Sequence, residues 1–244
     1  MNKKILLLLL FFVASFSNEN FSQTAPAPER DAQFWHETSV SFSPCEKKNC
    51  GLDFLESFSG FVSGTFRAGR NFSHPVDERI GGGFDLKFNK YVSFSPSYLY
   101  RAGQPSEGRK EYEHRVRFDL TLENKWQKFS LKNRNRVEYR IRHSRSDSVR
   151  YRNKTTLKIP VRKDDKEIFA PFVATEPFYD FSARAWTRNE FSAGIGKDFS
   201  GKFFGASRDK KIGLEFFYML QNNRGTSFKY VNIAGVNLKI DLRK

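Results

Sequence analysis

From Glu111 to Arg162 the chain alternates between apolar and charged positions. The even positions Tyr112, His114, Val116, Phe118, Leu120 and Leu122 oppose the odd positions Glu111, Glu113, Arg115, Arg117, Asp119, Thr121 and Glu123. After a short polar break the parity swaps. Phe129, Leu131, Val137, Tyr139 and Ile141 then oppose Lys132, Arg134, Arg136, Glu138, Arg140 and Arg142. A third run sets Val149, Tyr151, Leu157, Ile159 and Val161 against Arg150, Arg152, Lys154, Lys158 and Arg162. Side chains on a strand point alternately to its two faces, so each run predicts a strand with one apolar and one charged face. At ~3.3 Å per residue, runs of about ten residues are long enough to cross a bilayer on a tilted path.

The same alternation, weaker, recurs along the rest of the chain. Strands are predicted near Phe34–Phe42, Leu52–Phe66, Ile80–Phe88, Val92–Tyr100, Phe169–Phe178, Thr187–Ile195, Ile212–Leu220 and Tyr230–Leu242. Loops are predicted at 68–78, 101–110 and 197–210, and Asn89-Lys90 predicts a tight turn. Arg188 and Glu190 share the polar face of their strand, and Glu215 shares that of the next. Pro171 and Pro177 leave the facing of the strand that carries them open. One apolar and one polar surface per strand, with no second apolar layer, predicts an all-β fold: a transmembrane antiparallel up-and-down β-barrel, apolar outside and polar within. The segments number eleven, but both termini at one mouth require an even count. The expectation is therefore ten or twelve strands within a range of 10–12.

Composition narrows the class. Hydrophobic residues make up 39% and charged residues 28% of the 244 residues, too polar for a bundle of membrane helices. A barrel tolerates this, because only every second residue meets lipid. Lys3, Lys4 and the apolar run Ile5–Val13 read as a secretory signal peptide over residues 1–17, ahead of a flexible lead-in at 18–32 and a barrel domain at 33–244. Export to the bacterial outer membrane follows. It argues against nucleic acid as the partner of a chain with a formal charge of +15. Membrane lipid is the expected surrounding, small anions are the expected solutes, no cofactor is expected, and the oligomeric state is open. Cys45 and Cys50 are expected to close a small disulfide loop in an oxidising compartment. His36, His74, His114 and His143 lack ligand spacing to that pair, so no metal site is expected.

The candidate chemistry lies on the charged faces. Glu113, Arg115, Arg117, Asp119, Arg134, Arg136, Glu138, Arg140, Arg142, Arg150, Arg152, Lys154, Arg188, Glu190 and Glu215 form an expected lumen charge ladder. Over 111–162 the bases outnumber the acids. Cross-strand Arg–carboxylate pairs would fill and stiffen a narrow barrel. Unpaired bases would instead demand water or anions, as in an anion-favouring channel. A third reading places part of the basic excess near anionic lipid. An outer-membrane lipid-modifying enzyme would need a nucleophile and base, for which His143-Ser144 and His114 show no recognisable constellation, so no enzyme is expected. A soluble exported binder would need the reverse polarity, apolar inside.

Several of these segments resemble a known family. Glu113-His114-Arg115, the run Arg134-Asn135-Arg136-Val137-Glu138-Tyr139-Arg140, Arg150-Tyr151-Arg152-Asn153, and Glu176 followed by Phe178 are similar to the DUF2490 family of bacterial outer-membrane proteins of unknown function. The resemblance spans about residue 33 to the end. It implies an outer-membrane barrel and assigns no activity.

Overall fold

The computed structural model describes residues 30–43, 57–106, 108–143, 145–164, 166–202, 210–224 and 229–242. The expected signal peptide and the pair Cys45 and Cys50 lie outside the described residues. Twelve strands follow in order: β1 (Arg30–Phe42), β2 (Phe58–Gly69), β3 (His74–Lys87), β4 (Val92–Ser106), β5 (Arg109–Lys125), β6 (Ser130–Arg142), β7 (Ser148–Lys158), β8 (Val161–Lys163), β9 (Lys166–Asp180), β10 (Ala185–Gly201), β11 (Lys210–Asn223) and β12 (Tyr230–Asp241). Each of the long strands pairs with the next around a closed barrel, and β12 returns to β1. The three-residue β8 pairs only with the start of β9, so the wall has eleven strands.

The expected even count and fully antiparallel wall are therefore corrected. Every neighbouring pair is antiparallel except the seam, where β1 and β12 run parallel from Arg30 opposite Tyr230 to Ser41 opposite Asp241. An odd number of up-and-down strands sends the first and the last in the same direction. Only a parallel ladder, with its evenly spaced slanted bonds, can then close the barrel. The even count presumed both termini at one mouth. Here the described chain begins at one mouth, with Arg30, and ends at the other, with Leu242 bonded to the Ser41 carbonyl.

We call these the N-terminal and C-terminal mouths. Turns at 70–73, 143–147 and 181–184 lie at the N-terminal mouth; those at 88–91 and 126–129 lie at the C-terminal mouth. Asn89 makes the latter hairpin without a glycine. Its Oδ1 accepts from the amides of Tyr91 (2.8 Å) and Val92 (2.9 Å), as an asparagine turn requires. The predicted loops at 68–78 and 101–110 are largely strand, and residues 197–201 of the third still belong to β10, because the ladder continues where the apolar signal stops. β1 likewise begins at Arg30, ahead of the expected boundary at 33.

Inside and outside divide as alternation requires. Phe118, Leu120 and Leu122 are exposed on the outer wall, while Glu113, Arg115, Arg117 and Asp119 on the same strand are buried in the lumen. Two features of the lumen wall fall outside the sequence reading. On β3 a Cβ at Gly83 would lie 2.4 Å from the Pro96 carbonyl oxygen and 2.6 Å from the Ser97 Cβ, so β4 approaches too closely for any side chain there. On β1, β11 and β12, Trp35, Met219, Val231 and Ile233 form a buried apolar cluster inside the barrel, with Phe217 packed against it.

Candidate functional site

The charged faces of β5, β6, β7 and β9 meet inside the barrel as a belt of ion pairs. Register makes the first contacts: Asp119 lies opposite Arg136, and Arg117, Glu138 and Arg150 stand in one row. Asp119 takes both arms of the Arg136 guanidinium, at 2.6 Å each. Such a bidentate fork is the strongest neutralisation a carboxylate can find among side chains. Glu113 accepts from Arg115 and Arg140 at 2.6 Å each, and Arg101 Nη1 is 3.5 Å away. Glu138 accepts from Arg150 at 2.5 Å, with Arg115 at 3.7 Å and Arg152 at 3.6 Å. Glu113 and Glu138 are each 1% exposed, so these carboxylates are shielded from water by the surrounding guanidiniums.

Sequence reasoning missed several members of this belt. Glu176 on β9 accepts from Arg134 (2.8 Å) and from Arg152 Nε (2.9 Å). Asp77 on β3 is held by Arg79 Nε at 2.5 Å and Arg101 Nε at 2.7 Å. Phe178, 1% exposed, lies beneath three guanidiniums: Arg152 at 4.3 Å from the ring centroid, Arg150 at 5.1 Å and Arg188 at 5.5 Å. Arg67 lies 3.3 Å from the ring centroid of Trp35. An aromatic face lets a guanidinium sit away from bulk water without a carboxylate of its own.

Other expected ladder residues stand at the edges of the belt. Arg117 donates to Ser97 Oγ at 3.1 Å. Lys154 stands opposite Arg134 in register. Arg188 lies 3.6 Å from Glu190 and donates to Asn223 at 2.8 Å. Arg142 has moved up to the N-terminal mouth, donating to the Ser146 carbonyl at 2.7 Å. Glu215 stands apart, nearer the C-terminal mouth, with Lys239 at 2.9 Å and Asn237 at 3.3 Å. Arg162, read from the sequence as inward, lies on β8 and donates to the Gln127 carbonyl, because β8 is outside the closed wall. His114 is on the outer wall, 2.5 Å from the Tyr98 hydroxyl, and His143 is exposed. Among the described residues, no group of three or more His, Cys, Asp or Glu side chains is placed to hold a metal ion. Among them too, no helix is long and apolar enough to cross a membrane, which says nothing of crossing by strands.

Above the belt, the N-terminal mouth opens into a cavity of about 490 Å³. Its arginines are Arg67, Arg70, Arg79, Arg101, Arg115, Arg140, Arg142, Arg145, Arg150, Arg152, Arg188 and Arg224; its carboxylates are Asp31, Asp77, Glu111, Asp180 and Glu190. Arg70 starts a turn in which three successive residues, Arg70, Asn71 and Phe72, have φ of 51°, 56° and 68°. That left-handed run is costly for residues with a Cβ. It is held by Asp31 Oδ1, which accepts from the Asn71 amide at 3.1 Å, and by Ser73, which donates through Oγ to the Arg70 carbonyl at 2.5 Å.

Residues 32–232 match the family model described as "Protein of unknown function (DUF2490)". The chain belongs to that family. No curated protein matches the DUF2490 chain. Among solved structures it is similar to LpxR from Salmonella typhimurium, with a TM-score of 0.41 and 8% sequence identity, over 72% of this chain and 80% of that one. So distant a likeness carries no functional reading.

Chemically, the mouth of this DUF2490 barrel is a fixed array of hydrogen-bond donors with more positive than negative charge. Guanidinium forks match carboxylate and phosphate oxygens in pairs. Arginines outnumber carboxylates in the belt as in the cavity above, but most belt carboxylates are shared between two or three guanidiniums.

Proposed function

We propose that the chain is an outer-membrane barrel that captures small, multiply charged anions at its N-terminal mouth, above an ion-paired belt that restricts passage. The observation that carries this reading is the lining of the 490 Å³ cavity: leaving aside Arg115, Arg140, Arg150 and Arg152, which pair with belt carboxylates, eight arginines face five carboxylates. Charge left unmatched at a partly enclosed site calls for water or counter-anions, since burying it alone costs several kcal/mol. The cavity volume is in the range that holds small ligands.

The outer wall supports the membrane setting. Phe88, Tyr91, Trp126 and Phe129 ring the C-terminal side, and Phe72, Tyr112, Tyr139, Phe181 and Trp186 ring the other. From Phe129 to Tyr139 the chain advances ten residues along β6 and its turn. At ~3.3 Å per residue and a tilt of ~40° this is a height of about 25 Å, the apolar band of an outer-membrane barrel.

Two measurements test the proposal. Calorimetric titration of detergent-solubilised protein with inorganic triphosphate should show saturable binding that weakens with added salt and is lost on changing the rim residues Arg70, Arg145 and Arg224 together to Ala. Absence of binding overturns anion capture. In planar bilayers the barrel should conduct poorly. A steady anion-selective conductance would replace the restricted lumen with an open anion channel, and cation preference would overturn both.

A further inference from the structure

Most arginines that line the N-terminal cavity have an oxygen partner within the protein. Arg79 and Arg101 share Asp77, Arg145 donates to Glu111, Arg70 donates to the Gln104 carbonyl at 3.3 Å and Arg142 to the Ser146 carbonyl at 2.7 Å. Arg224 is exposed at the rim. Arg67, deeper on β2 and half-buried, has no hydrogen-bond or ion-pair partner among the described residues. The carboxylate opposite it in register is Asp77, which Arg79 and Arg101 already hold. Arg67 Nε is sealed from water without an acceptor, and the unpartnered end of the guanidinium faces the cavity that it lines.

What holds Arg67 is an aromatic ring. Its guanidinium carbon lies 3.3 Å from the ring centroid of Trp35, its cross-strand partner. Indole is the best aromatic platform for a cation. The ring is itself tied down. Trp35 Nε1 donates to Gln33 Oε1 at 2.8 Å, and Gln33 Nε2 donates to Asp31 Oδ2 at 2.7 Å. Asp31 Oδ1 in turn accepts from the Asn71 amide of the left-handed turn. Met219, Val231 and Ile233 pack the indole from β11 and β12. These inward apolar residues break the polarity of the lumen, and the stack gives them a purpose: they fix an indole, and the indole fixes the plane of a guanidinium.

We propose that Arg67 is the residue that holds the captured anion, and that it selects carboxylates and phosphates over halides. The inference rests on the anion capture proposed above and names the group that grips the ligand. A guanidinium laid flat on a ring keeps its edge free. That edge offers parallel N–H donors spaced to meet two oxygens of one carboxylate or phosphate. A halide meets the same charge but cannot use the fork. Because the stack sets the plane in advance, little side-chain freedom is left to lose on binding. Arg70 follows three residues later, about 10 Å along an extended chain. The rim arginines can therefore meet the rest of a multiply charged ligand whose end group rests on Arg67.

The test uses the full chain in detergent with Trp126→Phe and Trp186→Phe, both on the outer wall, which leaves Trp35 as the single tryptophan. Inorganic triphosphate or citrate should change Trp35 emission saturably, and the tighter of the two assigns the oxyanion as phosphate or carboxylate. Chloride at equal ionic strength should leave the emission unchanged; an equal response to chloride overturns the selectivity. Arg67→Gln and Arg67→Lys, each checked as folded barrel by gel mobility, should both weaken calorimetric binding of the tighter anion about tenfold or more. Lysine keeps the charge but not the fork, so full binding in Arg67→Lys reduces the site to a point charge and overturns the proposal. Unchanged binding in Arg67→Gln removes Arg67 from the site and leaves capture at the rim standing. Should neither variant fold, the Trp35 signal decides: anion binding seen by calorimetry with no change in emission overturns the proposal. Absence of anion binding by the native barrel overturns the capture reading and this inference with it.

Discussion

Glu138→Gln removes one charge from the middle of the belt and almost no volume. In the native barrel this carboxylate, 1% exposed, accepts from Arg150 at 2.5 Å and has Arg152 and Arg115 within 3.6 and 3.7 Å. At an effective dielectric of ~20, each charge pair about 4 Å apart is worth about 4 kcal/mol before desolvation is counted. Removing one partner of a buried pair leaves uncompensated charge, with a typical net cost of about 3–5 kcal/mol. Three guanidiniums lose their shared anion here, so the upper part of that range is expected. Glu123→Gln is the control. It pairs with Lys125 at 3.1 Å, both side chains reach solvent, and its loss should cost less than about 1 kcal/mol. Urea unfolding in detergent micelles, followed by the mobility shift of folded barrel on gels, gives both values. If the two variants unfold within about 0.5 kcal/mol of one another, the belt is screened by water and the restricted-lumen reasoning fails.

Three further outcomes are expected from the same unfolding assay unless stated. Phe178→Ala should cost about 3–5 kcal/mol, because it opens a cavity and removes the ring beneath three arginines; a cost below about 1 kcal/mol would refute that packing. Leu120→Arg on the outer wall should cost about 2–4 kcal/mol when unfolding is followed in lipid vesicles, and a neutral result would mean that this wall does not face hydrocarbon. Gly83→Ala should cost about 1–3 kcal/mol, since its Cβ would meet the Pro96 carbonyl oxygen at 2.4 Å; full native stability would show that β3 and β4 can part there.

How much of this was legible in the sequence depends on the strength of the alternation. On β5, β6 and β7 charged and apolar residues alternate over long runs, so the facing of Glu113, Arg136 and Arg150 can be read directly. On β9, Pro171 and Pro177 blur the pattern, and the inward facing of Glu176 and Phe178 cannot be read, although both are central to the belt. On β3 the polar inward row Asp77, Arg79, Gly81 and Gly83 is opposed at its start by Glu78, so a loop is the natural reading and Asp77 is lost with it. Trp35, Met219, Val231 and Ile233 are apolar residues facing inward, against the rule by which faces are assigned. The clue to Trp35 is positional, since it lies between Phe34 and His36, which alternation puts together on the opposite face. Strand number is least legible of all, because closure pairs residues from opposite ends of the chain and leaves no local trace.

The seam has a consequence for how the molecule is made. Arg30 pairs with Tyr230, 200 residues further along, whereas the other long strands meet partners close in the chain. Chain entropy makes so distant a contact among the last to form. Until then the nascent sheet has two bare edges, each a template for a stray strand. A hairpin cannot supply the final pairing, because the two strands point the same way. One end of the wall must therefore be carried to the opposite mouth before the cylinder can shut, so that Arg30 and Leu242 finish at opposite mouths.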